Sequence, residues 1–205
     1  MDSIRNIRFV PVDDQGYKNF VAGFIRRKQQ RRQALSQPPV KVDNPIQDAA
    51  YTVECIVRNM VGRSELERVL RYESFNGWRW TRQYAECDYV RHSSKGLIIS
   101  EIKSTKSHYG LKRGCQQLLR ICQLFEAVGC FEPIFLRLDL VNYSDYAIYS
   151  EKRRYFDDIC IRVVSHPISE VLAFANENGI EYDGQVIERA RQKVNGDLID
   201  SLQEQ

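Results

Sequence analysis

No two cysteines in this chain are separated by only two residues; the six present, at 55, 87, 115, 122, 130 and 160, are scattered. Zinc and iron–sulfur sites draw on closer clusters, so these read as free, mostly buried thiols. Cys115 and Cys122, seven apart on a predicted helix, read as packing positions. No apolar run approaches the roughly 20 residues that span a bilayer. The opening residues, Met1-Asp2-Ser3-Ile4-Arg5, lack the apolar core of a secretion signal. No membrane partner is therefore predicted, and the expected compartment is intracellular, cytoplasmic or, in a eukaryote, nuclear. Histidine is scarce, and neither His92 nor His108 has a metal-ligand partner at the usual spacing. Charge of one sign is nearly balanced too: 30 basic against 27 acidic residues leave +3, which permits a polyanionic partner without requiring one. No internal repeat is present.

What remains is ordinary globular material, 43% hydrophobic and 28% charged over 205 residues, enough for one packed domain with additions. The charge is unevenly placed. Residues 1–44 hold nine basic and four acidic groups (+5), residues 45–165 eighteen and fifteen (+3), and residues 166–205 three and eight (−5). These boundaries divide the chain into a basic N-terminal extension, a core and an acidic C-terminal segment. In the extension, Ile4–Val12 reads as a strand that Pro11 confines to an edge or a strand end. Tyr17–Leu35 reads as a helix with Phe20, Val21, Phe24 and Ile25 on one stripe. Its second half, Arg26-Arg27-Lys28-Gln29-Gln30-Arg31-Arg32-Gln33, has five basic residues in eight and no acid. A solvated helix end accounts for some of these cations. A phosphate-tracking arm accounts for their number, and Lys106 is a further candidate contact.

After the Pro38-Pro39 linker, a helix over 46–61 carries Ala50, Val53, Val57 and Val61 on its predicted buried stripe and stops at Gly62. Ser64-Glu65-Leu66-Glu67 resembles a capping box and predicts a short third helix. Trp78, Trp80 and Tyr84 alternate with arginine as in a strand with one aromatic face, suited to sheet packing or to stacking on bases. Further on come a helix over 111–128, strands over 134–141 and 159–164, and helices over 167–178 and 185–202. The predicted fold class is α/β: a central mixed sheet flanked by helices in three layers, with helical additions at both ends.

The most informative stretch is Gln83–Lys103. It reads as two strands joined by the polar turn Ser93-Ser94-Lys95-Gly96, with Asp88 on the first and Glu101 and Lys103 closing the second. Alternation puts Glu101 and Lys103 on one face and Ile102 on the other. Charges at the end of a strand beginning Leu97-Ile98-Ile99 need a reason, because such a strand is buried. Two carboxylates and an ammonium on one surface suit a divalent metal and a phosphate.

A helix, a meander carrying Asp88, then Glu101-Ile102-Lys103, then a helix and a strand resemble the PD-(D/E)xK nuclease superfamily over residues 46–141. The resemblance implies a restriction-endonuclease-like core and an Mg²⁺-dependent phosphodiesterase, with Mn²⁺ able to substitute, that cuts nucleic acid, DNA before RNA. It assigns the metal to Asp88, Glu101 and the Ile102 carbonyl, and phosphate or water positioning to Lys103. A helper glutamate before the sheet is best matched by Glu54, with Glu65 and Glu67 as rivals. Glu86, on the Asp88 face by alternation, is a rival ligand. The helix after the sheet supplies Gln117, with Gln116 as its rival. The chain departs from the family where Cys87 replaces the proline before Asp88. One branch also has a tyrosine four residues after the glutamine, where this chain has Ile121. A non-catalytic nucleic-acid-binding module and an RNA endonuclease are the alternatives on the same scaffold. The resemblance sets no oligomeric state; a homodimer is one option.

Overall fold

A strand that runs into a proline belongs at an edge, and β1 (Ile4–Val10) lies at one. In the computed structural model, which describes residues 3–34, 45–62, 68–105, 108–127, 129, 132–143, 152–156 and 158–192, β1 borders an antiparallel sheet with β2 (Val69–Phe75) and β3 (Trp80–Glu86). Helix α1 (Gln15–Ala34) begins where the Asp14 carboxylate accepts the Tyr17 N–H at 2.8 Å, an N-terminal cap. Its first turns pack: Tyr17 and Phe20 lie on the ring of Tyr84, centroids 5.7 and 5.2 Å apart. The predicted apolar stripe does not continue, since Phe24 and Ile25 are exposed.

The larger sheet has the order β4-β5-β6-β8-β7. Its strands are β4 (Tyr89–Ser93), β5 (Gly96–Thr105), β6 (Ile134–Asn142), β7 (Lys152–Phe156) and β8 (Ile159–Pro167). β5, β6 and β8 run parallel, with β4 and β7 antiparallel at the two edges. Parallel strands must be buried on both faces. Leu97, Ile99, Leu138 and Ile161 face helix α3 (His108–Ala127), whose Leu118, Ile121 and Phe125 complete one core. Gly114 lets α3 come down onto Leu138; a side chain there would collide with it. Ile102 and Val141 face helices α2 (Pro45–Val61) and α4 (Ile168–Glu177) in a second core. The predicted α/β class and helix-flanked mixed sheet are therefore present.

Several expectations shift. The buried stripe of α2 is Ala49, Val53, Ile56 and Val57, turned slightly from the one predicted. The predicted short third helix falls partly on residues 63–67, outside the described residues, and the chain beyond them forms strand β2. β7 was absent from the expected order. The single predicted sheet is two: β1, β2 and β3 form their own and pack on α3 through Phe9 and Leu70. Residues 184–192 are helical; the rest of the last predicted helix lies outside the described residues.

Candidate functional site

Strand β5 outruns its neighbour. Pairing with β4 ends at Tyr89 opposite Ser100, while β5 continues to Thr105. The N–H groups of Ile102 and Ser104 therefore emerge on an edge with no strand beside it. A buried N–H must find an acceptor, and two carboxylates supply it. Asp88 Oδ2 accepts from the Ile102 N–H at 2.8 Å, and Glu54 Oε1 from the Ser104 N–H at 2.9 Å. The Ile102 carbonyl lies on this same edge, because one residue's N–H and C=O share a side in an extended strand.

Asp88 reaches that edge because of where the chain changes sheets. The Cys87 N–H donates to the Arg68 carbonyl at 2.8 Å beside the small sheet, and the Asp88 N–H to the Ser100 carbonyl at 3.2 Å in the large one. Asp88 is thus not within a strand, as the sequence suggested, but in the bend between β3 and β4. Its other oxygen, Oδ1, accepts from Arg58 Nη2 at 2.7 Å. Arg58 lies one helical turn beyond Glu54 on α2, so both side chains leave the same helix face. Burial works against the Arg58 charge, but Asp88 outweighs it and holds the guanidinium above its ordinary pKa.

Alternation places Glu101 and Lys103 on one side of β5 and Ile102 on the other, as expected; Lys103 Nζ donates to Glu101 Oε1. Glu101 is nearly inaccessible, at 2% exposure. Burial first, then the nearby Asp88 charge and more weakly Glu54, push its carboxyl up to about 8 against the pull of Lys103. Lys103 is also held above its ordinary value: burial opposes its charge, but Glu101, Asp88 and Glu54 together prevail. Burial likewise raises Glu54, offset in part by the Ser104 N–H and Lys103. The buried phenol of Tyr143 is pushed up to about 12 by burial, with Glu54 adding to the effect; Ser104 nearby pulls it down, although their oxygens lack hydrogen-bond geometry.

Asp88, Glu101, Lys103 and Glu54 are therefore one electrostatic group. Gln117 is half-buried on α3 and, among the described residues, makes no hydrogen bond to any of them; Gln116 is exposed. Glu86 accepts from the Tyr17 hydroxyl at 2.6 Å and pairs with Arg68 at 3.4 Å instead of joining Asp88. Glu65, Glu67 and Lys106 lie outside the described residues. Arg26, Arg27, Lys28 and Arg31 are exposed along α1, whereas the side chain of Arg32 lies outside the described set. His92 pairs with Glu132. Trp80 packs on Phe75 and beneath Arg5, so it serves the small sheet; Trp78 is exposed.

Sequence reasoning missed Arg58, Tyr143 and Asp139. Arg58 was findable, standing four residues after Glu54 on a helix already assigned. Asp139, fully buried beside Ile102, accepts two-pronged bonds from Arg137 and one from His166 Nε2 at 2.6 Å. Its signal was an acid inside a strand that is apolar apart from Arg137 and Asn142.

Among the described residues no group of three or more His, Cys, Asp or Glu side chains is placed to hold a metal ion by itself. Mg²⁺ does not need one: it takes one or two carboxylates and completes its shell with water and phosphate oxygens. Asp88, Glu101 and the Ile102 carbonyl are hard oxygen donors of that kind, and the crowding that raises Glu101 is relieved by a cation. The donor set is of the right kind, with both Asp88 oxygens already accepting, one from Arg58 and one from the Ile102 N–H. No helix among the described residues is long and apolar enough to cross a membrane. No protein-family model, curated protein or solved structure matches the chain.

Proposed function

We propose that this chain is a metal-dependent phosphodiesterase of the PD-(D/E)xK type, on a restriction-endonuclease-like core, acting on DNA. The observation that carries this reading is the set of Asp88, Glu101 and Lys103, with Glu54, gathered at the end of β5 where its β4 side has no partner strand. A surface ion pair needs none of this burial. Here a carboxylate with almost no exposure stands next to two others, an arrangement that costs stability and is suited to charge arriving from outside.

Asp88 and Glu101, with the Ile102 carbonyl, would hold the ion, which supplies Lewis-acid polarisation of a phosphate and a lowered pKa for water. The chain's own residues do the rest. Lys103, kept protonated by three carboxylates, offers an ammonium to a phosphate oxygen or an attacking water and stabilises the charge that builds up in the transition state. Arg58 holds Asp88 in place and keeps a second cation beside the phosphate path. Glu54 fixes the end of β5, and with it the direction of Lys103.

Purified protein is expected to cleave DNA with Mg²⁺ or Mn²⁺ and to stop on addition of EDTA, with Asp88→Ala and Lys103→Ala each abolishing the activity. Cleavage that survives both substitutions removes these residues from the reaction. Salt-sensitive binding without cleavage of DNA or RNA identifies a non-catalytic module instead.

A further inference from the structure

Helices α2 and α4 cover the half of the large sheet near the ends of its parallel strands; among the described residues, no element covers the opposite half of that face. Val61 marks where α2 stops at its rim. Beyond it Phe135, on a central strand, is 44% exposed, and Tyr155 on β7 is 65% exposed. A central strand seldom shows an aromatic ring to water without a use for it.

The strand registers set side by side, in one row across the sheet, Tyr89, Ser100, Arg137, Arg162 and Arg153. The next row begins Arg91, Ile98 and Phe135. Three arginines are thus direct neighbours on consecutive strands, a placement that repels unless anions lie over it. Arg137 turns to Asp139. These rows line a basin of about 950 Å³ that also takes in Lys95. Its carboxylates are at the margins: Glu132 is engaged by His92, Glu126 by Cys122 on the α3 side, and Asp158 stands in the turn before β8. At its other end the basin reaches Tyr89 and Ser100, the residues that flank Asp88 and Glu101 in the chain.

We propose that this open face binds a single strand of nucleic acid, laid across β4 to β7, with phosphates on Arg91, Arg162 and Arg153 and bases on Phe135 and Tyr155. The choice of polyanion rests on the phosphodiesterase reading; the place and mode of binding do not. Arginine tracks the backbone and aromatic faces stack on bases whatever their sequence. Stacking faces are of little use to a duplex, whose bases already stack on one another. Four strand spacings of about 4.8 Å give a path of roughly 19 Å, room for a few nucleotides. The β4 end of that path lies at Tyr89, next in the chain to Asp88, on the face of the sheet opposite Glu101 and Lys103.

The test is fluorescence anisotropy with labelled oligothymidylate, using the full chain in EDTA so that cleavage does not intervene. Phe135→Ala is expected to weaken binding by about five-fold or more. Arg153→Gln and Arg162→Gln should each weaken it and flatten the dependence of log affinity on log salt by about 0.7. Arg153 is exposed on an edge strand, so its variant should fold; far-UV circular dichroism checks each one. A duplex of equal length should bind less tightly. Unchanged affinity in folded Phe135→Ala and Arg153→Gln overturns the proposal. So does polyglutamate binding as tightly as oligothymidylate, or a dimer in sedimentation that Phe135→Ala dissolves, which would make the face a protein interface. If the wild type cleaves nothing but these binding losses occur, the phosphodiesterase reading fails and the platform stands. If it cleaves and all three variants bind like the wild type, the platform fails alone.

Discussion

Three carboxylates (Glu54, Asp88, Glu101) and two cations (Arg58, Lys103) leave one negative charge when all are ionised, and a proton on Glu101 removes it. The pKa of about 8 in the folded chain, against an ordinary 4.5, gives that proton a thermodynamic signature. Between those values the folded state keeps a proton that the unfolded chain has released. The contribution of Glu101 to stability is therefore complete below the ordinary value and is lost as pH rises towards about 8. Urea unfolding of the wild type and Glu101→Gln from about pH 5 to about pH 9 should show the wild type losing free energy relative to the variant across that window. Parallel profiles would mean that Glu101 is ionised throughout. Arg58→Ala should cost about 1–3 kcal/mol, because it leaves Asp88 among other carboxylates without its partner. Added Mg²⁺ should recover part of that loss. Thermal unfolding with and without the ion measures both, and a variant as stable as the wild type would remove Arg58 from the site.

β5 carries the site because its end has no strand on the β4 side, and Glu54 does for Ser104 what a neighbouring strand there would otherwise do. Glu54→Ala should destabilise the fold by about 1–2 kcal/mol and speed exchange of the Ser104 amide hydrogen, whereas Glu54→Gln, which retains an acceptor oxygen, should do less of both. Equal exchange in the wild type and Glu54→Ala would refute the edge-capping role. Elements with a marked apolar stripe or run were legible from sequence: α2, α3 and α4 carry a stripe, β5 and β6 a run. β2 was not, because Glu65, Leu66 and Glu67 just ahead of it are local helix formers; its hairpin with β3 is local, but its other partner β1 lies more than fifty residues away, and pairing at that distance leaves no local mark. β7, Lys-Arg-Arg-Tyr-Phe, is exposed throughout and exists as a strand only through its ladder with β8.

For the whole molecule, the α/β class and the flanking helices could be read from the order of elements, but the division into two sheets could not. The meander from Trp80 to Ser93 has the composition of one continuous pair of strands, and only the hydrogen bonds reveal that it changes partners. The same limit governed the site. Asp88, Glu101 and Lys103 were visible because two of them share a strand and the third sits close by in the chain. Tyr143 comes from an element that only packing brings near, and Arg58 was signalled only through its spacing from Glu54. The basic sheet face was hidden for a similar reason: Arg91, Arg137, Arg153 and Arg162 belong to four strands and become a row only in register.

At Cys87 and Asp88, consecutive amides answer to different sheets, so the chain has no slack there. One residue more or fewer between Glu86 and Tyr89 would slide β4 by a position against β5 and turn Val90 outwards and Arg91 into the core beneath α3. The Asn76-Gly77 turn, exposed at the tip of β2 and β3, has no such constraint. Length variation can therefore accumulate at one end of β3 and is forbidden at the other, and the intolerant end is the one that holds the acid.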